Sequence, residues 1–243
     1  MKLESINVAQ PREVTYRGRT YATSIFKQSV SGRVAVRRLN IDGDAQGNLK
    51  THGGPDMAVY VFGHEDYAHW AEGLGRAALD FGAFGENLTV TGMREDVVCV
   101  GDIFRIGSAR LQVTEPRTPC HKLAMKFDDE DLPRRFAARG NVGFYFRVLE
   151  EGEIGAGDDI QSESRDPARL SIADVLTLWA DKSAGAEALG RALAVSALSA
   201  TWRARFEKRL VAVKAASSGT AVKAASAEPG QALKWSPERL TWI

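Results

Sequence analysis

The chain has 243 residues, 44% of them hydrophobic and 26% charged, and a formal net charge of +1. That balance is ordinary for a soluble globular protein and gives no reason to expect nucleic acid or an anionic membrane as the main partner. With two cysteines, Cys99 and Cys120, a disulfide framework is excluded and a reducing cytoplasm is the expected compartment.

The first six residues contain no apolar core of signal-peptide length, and no later run is long enough to span a bilayer. Up to about residue 160 the chain reads as short strands broken by glycine turns. Residues 33–41 are strand-rich, 57–62 form a continuous apolar run, and 88–91 alternate polar and apolar positions. Residues 103–106 and 109–114 flank Gly107-Ser108, which is hairpin punctuation, and 144–149 are strongly β-prone. Gly-Asp pairs at 43–44, 101–102 and 157–158 suit tight turns. Two helices are predicted to interrupt the strands, at 64–76 and 133–139. Many short strands with such turns suggest a barrel or sandwich.

After Asp166-Pro167 the character changes. Ser171 with Asp174 three positions on resembles a helix start, and Ile172, Val175, Leu176 and Trp179 form an apolar stripe. A shorter helix is expected at 186–194. Leu198, Trp202, Phe206 and Leu210 recur every four residues and mark another helix. The sequence Ala-Val-Lys-Ala-Ala-Ser stands at 212–217 and again at 221–226, low complexity that predicts a mobile tail over 211–243. Trp235 and Trp242 near its end argue for some docking of the terminus.

Three clusters carry candidate chemistry. In Arg117-Thr118-Pro119-Cys120-His121-Lys122-Leu123, prolines stiffen the chain around a single thiol, and Arg117 and Lys122 would favour its thiolate, the form that attacks electrophiles and binds soft metals. The plain alternative is a small buried hydrophobe. In 48–56, Lys50 and His52 share a face if the segment is extended, and Gly53 and Gly54 remove side chains where an anion could reach backbone N–H groups. A Gly-Gly-Pro turn with a surface lysine explains the same residues. In 82–88, Asn87 could bond a heterocycle edge or cap its own loop. Cys99 reads as strand core, and His64 and His69 as surface or helix-packing residues.

Taken in order, these segments resemble the MOSC domain of the YiiM-like type, with its C-terminal three-helix extension. The resemblance rests on Asp42-Gly43-Asp44 with Gln46, Lys50-Thr51-His52-Gly53-Gly54-Pro55-Asp56 with Ala58-Val59-Tyr60, and Phe84-Gly85-Glu86-Asn87-Leu88. It continues in Val100-Gly101-Asp102, Arg105-Ile106-Gly107 and the residues from Pro116 to Leu123. It implies a mainly β fold with α (α+β): a MOSC-type β-barrel domain over 1–165, then a small helical domain over 166–210. The tail at 211–243 departs from the pattern.

The resemblance also implies a molybdenum cofactor, a metal held by molybdopterin. Cys120 would be metal ligand and catalytic residue, with Lys50, His52, Gly53, Gly54, Asn87 and Arg117 binding the cofactor. Glu86 could be purely structural. The implied reaction is reduction of small N-hydroxylated compounds such as hydroxylaminopurines, amidoximes and hydroxylamines. No flavin or nicotinamide fingerprint is present, so a separate flavin-containing electron donor is the expected partner. The basic run Arg203, Arg205, Lys208 and Arg209 offers a docking face for it, although a solvated helix face is the more ordinary explanation. A homodimer is compatible with the chain. Rival readings are a sulfur or cofactor carrier without turnover, a metal-free cysteine hydrolase using Cys120 with His52 and Asn87, and a noncatalytic interaction protein.

Overall fold

The computed structural model describes residues 1–47 and 53–217. In chain order the elements begin with β1 (Lys2–Val8), β2 (Arg12–Tyr16), β3 (Arg19–Thr23), β4 (Gln28–Val30), β5 (Arg33–Arg37), β6 (Asn40–Ile41), β7 (Val59–Gly63) and α1 (Tyr67–Gly73). Then come β8 (Leu88–Thr91), β9 (Ile103–Ile106), β10 (Ala109–Pro116), α2 (His121–Phe127), α3 (Leu132–Arg139) and β11 (Phe144–Glu150). The last are β12 (Gly152–Gly155), β13 (Ile160–Ser164), α4 (Ile172–Ala180), α5 (Ala186–Ala194) and α6 (Ala200–Ser217).

The main sheet runs β13-β9-β10-β11-β7-β8-β1-β4 and is antiparallel except between β7 and β8. That parallel step needs a crossover, which carries α1 and the loop to Glu86. The N–H of Leu3 donates to Asp158 O at 3.0 Å, that of Gly157 to Leu3 O at 2.7 Å, and that of Ile160 to Met1 O at 3.1 Å. These bonds tie β1 to the far end of the sheet, so the sheet curls back on itself around a core that includes Leu3, Ile6, Val61, Phe104 and Leu111. The barrel-like, mainly β character expected from the turns is present, with six helices packed against it.

Alternation in β11 decides which residues reach which side. Phe144, Phe146 and Val148 point into the core, whereas Tyr145 and Arg147 leave on the opposite face. A second, aromatic core lies between the sheet and α1–α3. Phe62, Phe84 and Phe136 meet there at ring separations of 4.6 to 5.5 Å. This layer seats α2, the helix that follows Cys120. The sequence reading had only a stiffened turn at 117–123 and no helix there. Leu123, Ala124 and Met125 of α2 are buried, and one turn of apolar residues is too short to show a period.

Ser171 and Asp174 form the capping box at the start of α4, with Ser171 Oγ accepting the Asp174 N–H at 3.0 Å and Asp174 Oδ2 accepting the Ser171 N–H at 3.0 Å. Aspartate thus does the work usually given to Glu or Gln, worth about 1 kcal/mol. Of the basic run on α6, Lys208 is exposed, whereas Arg203, Arg205 and Arg209 are half-buried and engaged within the fold. Arg203 donates to the carbonyls of Leu193 and Val195, and Arg209 to those of Leu178 and Asp181. These are orphan carbonyls at the ends of α5 and α4, which an isolated helix leaves unbonded. Arg205 stacks on Trp179 and Trp202. Helix α6 continues to Ser217, so the first copy of the repeated hexapeptide is helical. The second copy, Trp235 and Trp242 lie outside the described residues. Among the described residues no helix is long and apolar enough to cross a membrane.

Candidate active site

Strand β10 ends by pairing Pro116 with Phe144, and the Arg117 N–H then bonds Gly143 O at 3.0 Å. Pro119 carries the chain out of the sheet, and Cys120 follows in extended conformation (φ −133°, ψ 171°) as the residue before α2. Cys120 is half-buried. It lines a cleft of about 100 Å³ together with Gly53, Asn87, Arg117, Lys122 and Tyr145. The fold therefore collects four of the predicted site residues, Cys120, Arg117, Asn87 and Gly53, from three separate stretches of chain. Lys50 and His52 lie outside the described residues. Gly54 does not line the cleft; it precedes the short 3-10 helix Pro55–Met57. Both glycines sit at positive φ, 139° and 88°, where a side chain would be strained.

Arg117 is 6% exposed. Its guanidinium lies 4.8 Å from the Tyr60 ring centre and 5.5 Å from that of Phe136, and Nη1 donates to the Tyr60 hydroxyl at 3.1 Å. Among the described residues no carboxylate lies within ion-pair distance of it. A buried cation held only by rings and a hydroxyl leaves donors available to an anion in the cleft. Burial pulls the Lys122 ammonium below its usual range, with the neighbouring Cys120 sulfur acting in the opposite sense. Its Nζ donates to Ala22 O at 3.2 Å.

Asn87 has a different task from the heterocycle contact expected of it. Its Oδ1 accepts the Tyr60 N–H at 3.1 Å, and its Nδ2 donates to Asp44 Oδ2 at 2.9 Å and Asn7 O at 3.4 Å. With both amide hydrogens used, Asn87 braces the cleft wall. Asp44 in turn accepts from Lys27 and from the Ala9 N–H, making a buried pair at the cleft edge. Glu86 is structural. It accepts from the N–H groups of Gly82 and Phe84, each at 3.0 Å, and from the Tyr67 and Thr89 hydroxyls, which staples its own loop. Cys99 is buried and bridges to Ser171, and His64 and His69 are exposed, His64 edge-on to Tyr67 and Phe81.

The sequence reading missed Tyr60, Tyr145 and Lys27. Tyr145 was recoverable from the strand period, since it is out of phase with Phe144 and Phe146. Tyr60 sits inside an apolar run, and nothing local marks its hydroxyl as a partner for a cation 57 positions away. Lys27 gives no local signal either.

A single thiol opens beside a buried guanidinium, on a curled sheet with three helices appended. The chain matches the MOSC domain over residues 48–161 and the YiiM-like 3-alpha helix domain over residues 170–211. It is 41% identical to the Bacillus subtilis protein YflK over 205 residues, which are 84% of this chain and 92% of that one. The crystal structure of YiiM from Geobacillus stearothermophilus superposes with a TM-score of 0.74 at 39% identity, covering 86% of this chain and 98% of that chain. A protein from Gibberella moniliformis named a reductase is 35% identical over 161 residues, 65% of this chain but 28% of that protein. The chain belongs to the MOSC domain family, in its YiiM-like form.

Proposed function

We propose that this chain is a molybdenum cofactor-dependent reductase of N-hydroxylated compounds. One observation carries the reading: the half-buried Cys120 thiol faces the same cleft as the carboxylate-free Arg117 and the half-buried Lys122. Among the described residues no group of three or more His, Cys, Asp or Glu could hold a metal ion. A metal here would take Cys120 as its protein ligand and bring its other donors on its own chelator, as a dithiolene-bearing pterin does. Soft thiolate suits such a centre, and the Arg117 fork with the Lys122 ammonium suits the phosphate of that pterin. The residues present therefore fit the group. When bound, the cofactor supplies the two-electron redox chemistry.

The remaining roles belong to the chain. Cys120 Sγ fixes the centre at the cleft, Arg117 and Lys122 hold negative charge, and Asn87 and the Lys27–Asp44 pair keep the wall in place. The net reaction consumes two electrons and two protons, breaks the N–O bond and releases an amine and water. The electrons come from a separate flavin-containing reductase. The reductase-named relative supports oxidoreductase chemistry in this family, as a statement about that protein.

The test pairs molybdenum quantification and pterin detection on freshly purified wild type and Cys120→Ala, with turnover of an N-hydroxylated base using a chemical electron donor. The proposal expects metal and turnover in wild type and loss of both in the variant. Equal metal and equal turnover in the two proteins would sink it. Retained cofactor with no turnover would favour a carrier.

A further inference from the structure

A second cleft, of about 980 Å³, adjoins the first, and Lys27 lines both. Its lining holds four cations, Arg12, Lys27, Arg76 and Lys126, against one carboxylate, Asp80. On a chain of net charge +1 this is a local concentration of positive charge. Lys27 is neutralised by Asp44, but Arg12, Arg76 and Lys126 have no carboxylate within ion-pair distance among the described residues. All three lie over aromatic rings instead, Lys126 Nζ at 5.9 Å from the centre of Phe26. The Arg12 guanidinium lies 3.9 Å from the centre of Phe26, and that of Arg76 lies 5.2 Å from the centre of Phe127. Stacking fixes the plane of a guanidinium and leaves its N–H edges outward. Lys126 is clamped to the wall between the clefts by bonds to Ile25 O at 3.0 Å and Gly82 O at 2.7 Å. Burial, and the nearby positive charges of Arg117, Lys27 and Arg12, bring its ammonium down to about 8, with Glu86 acting against them. An anion entering the cleft relieves that crowding.

Cations alone would suit any phosphate. Here they stand on phenylalanine rings in a space that exceeds a lone phosphate severalfold, and ring-backed guanidinium planes with free N–H edges suit a planar ring carrying an anionic group. Asp80, exposed and without an ion pair among the described residues, is an acceptor for an exocyclic amine. We infer that the larger cleft is a binding subsite for a nucleoside monophosphate, its phosphate on the N–H edges of Arg12 and Arg76 and its base stacked on a guanidinium plane that a phenylalanine ring backs. That the ligand is the substrate in its phosphorylated form rests on the function proposed above; its capture by the cleft does not.

The experiment is calorimetric titration of adenosine 5′-monophosphate, adenosine and inorganic phosphate into wild type, the Arg12→Ala/Arg76→Ala double variant, the Arg12→Lys/Arg76→Lys double variant and Cys120→Ala. Both arginines are exposed, so the substitutions leave the core untouched. The expected result is saturable binding of the monophosphate to wild type, at least tenfold tighter than either adenosine or inorganic phosphate. Binding should weaken at least tenfold in the alanine variant, recover in part in the lysine variant and stay unchanged in Cys120→Ala. No saturable binding at millimolar monophosphate, equal affinity for adenosine, wild-type affinity in the alanine variant, or loss of binding in Cys120→Ala would each overturn the inference. Binding is read without cofactor or turnover, so a failed molybdenum assay leaves this result standing, and the reverse also holds.

Discussion

The Arg117 guanidinium lies 4.8 Å over the Tyr60 ring while its Nη1 donates to the hydroxyl of the same tyrosine at 3.1 Å. That hydroxyl in turn donates to Val142 O at 2.8 Å, so one tyrosine fixes both the plane and the position of a buried cation. The strand β7 carrying Tyr60 pairs with β11, which carries Tyr145 at 5.2 Å from the Tyr60 ring. The cleft's charge is thus built on the rigid sheet, and the thiol on the segment leaving it.

Replacing Arg117 separates its two roles. Arg117→Lys keeps a positive charge but loses the planar fork and its stacking on Tyr60 and Phe136. We expect a stability loss of about 1–2 kcal/mol by urea denaturation, because Tyr60 keeps its bond to Val142. Molybdenum and pterin content should fall well below wild type in the same preparation. A variant that loses stability yet retains full cofactor would show that Arg117 only packs.

Asp56 joins the glycine segment to the helical domain. Its Oδ1 accepts from Arg147 Nε at 3.0 Å and its Oδ2 from the Ala200 N–H, at the start of α6, at 3.2 Å. Asp56→Ala removes an ion pair and a helix-end acceptor together, at a cost of about 1–3 kcal/mol. Asp56→Asn, which keeps acceptor capacity, should cost less. Hydrogen exchange in α6 should rise in the alanine variant; unchanged exchange there would contradict the coupling.

These residues also show what the chain discloses by itself. The Lys50–Asp56 and Arg117–Leu123 clusters are contiguous, so their composition announces them. The strands at 88–91, 103–106 and 144–149 are legible because alternation or hairpin turns occur within each segment. By contrast, β1 to β4 were not recognised: their pairing partners are distant or their exposed residues dilute the period. The task of Asn87 was ambiguous because its partners Asp44 and Asn7 lie 43 and 80 positions away. Likewise the arginines of α6 look like a charged face until the ends of α4 and α5 are placed beneath them.

Glu115 sets a pH dependence of stability. Burial raises its carboxyl to about 7, with nearby Asp56 adding to the shift and Ser199 and Arg205 opposing it. A carboxyl whose folded value is raised binds its proton more tightly folded than unfolded, so its destabilising contribution is absent below about 4.5 and complete above about 7. Over that window the loss is on the order of 3 kcal/mol. Glu115→Gln should therefore raise the melting temperature at pH 8 and change it little at pH 5, by scanning calorimetry. Parallel pH profiles for the two proteins would contradict the assignment.

Two glycines of similar φ separate conformational strain from close approach. Gly140, after α3, has φ 82° and open space where a Cβ would stand, whereas Gly143 has φ 75° and a Cβ there would lie 2.2 Å from Val61 O and 2.8 Å from the Tyr60 ring. Gly140→Ala pays only the left-handed backbone cost, about 1–2 kcal/mol. Gly143→Ala adds a backbone clash that must spread the β7–β11 pairing and displace Tyr60, so its cost should exceed about 3 kcal/mol. The same displacement moves the partner of Arg117. Gly143→Ala, where it folds, should lose cofactor as Arg117→Lys does, while Gly140→Ala retains it. Urea midpoints and molybdenum content measured side by side decide this, and equal behaviour of the two variants would show that the approach of Gly143 to Tyr60 does not position the cleft.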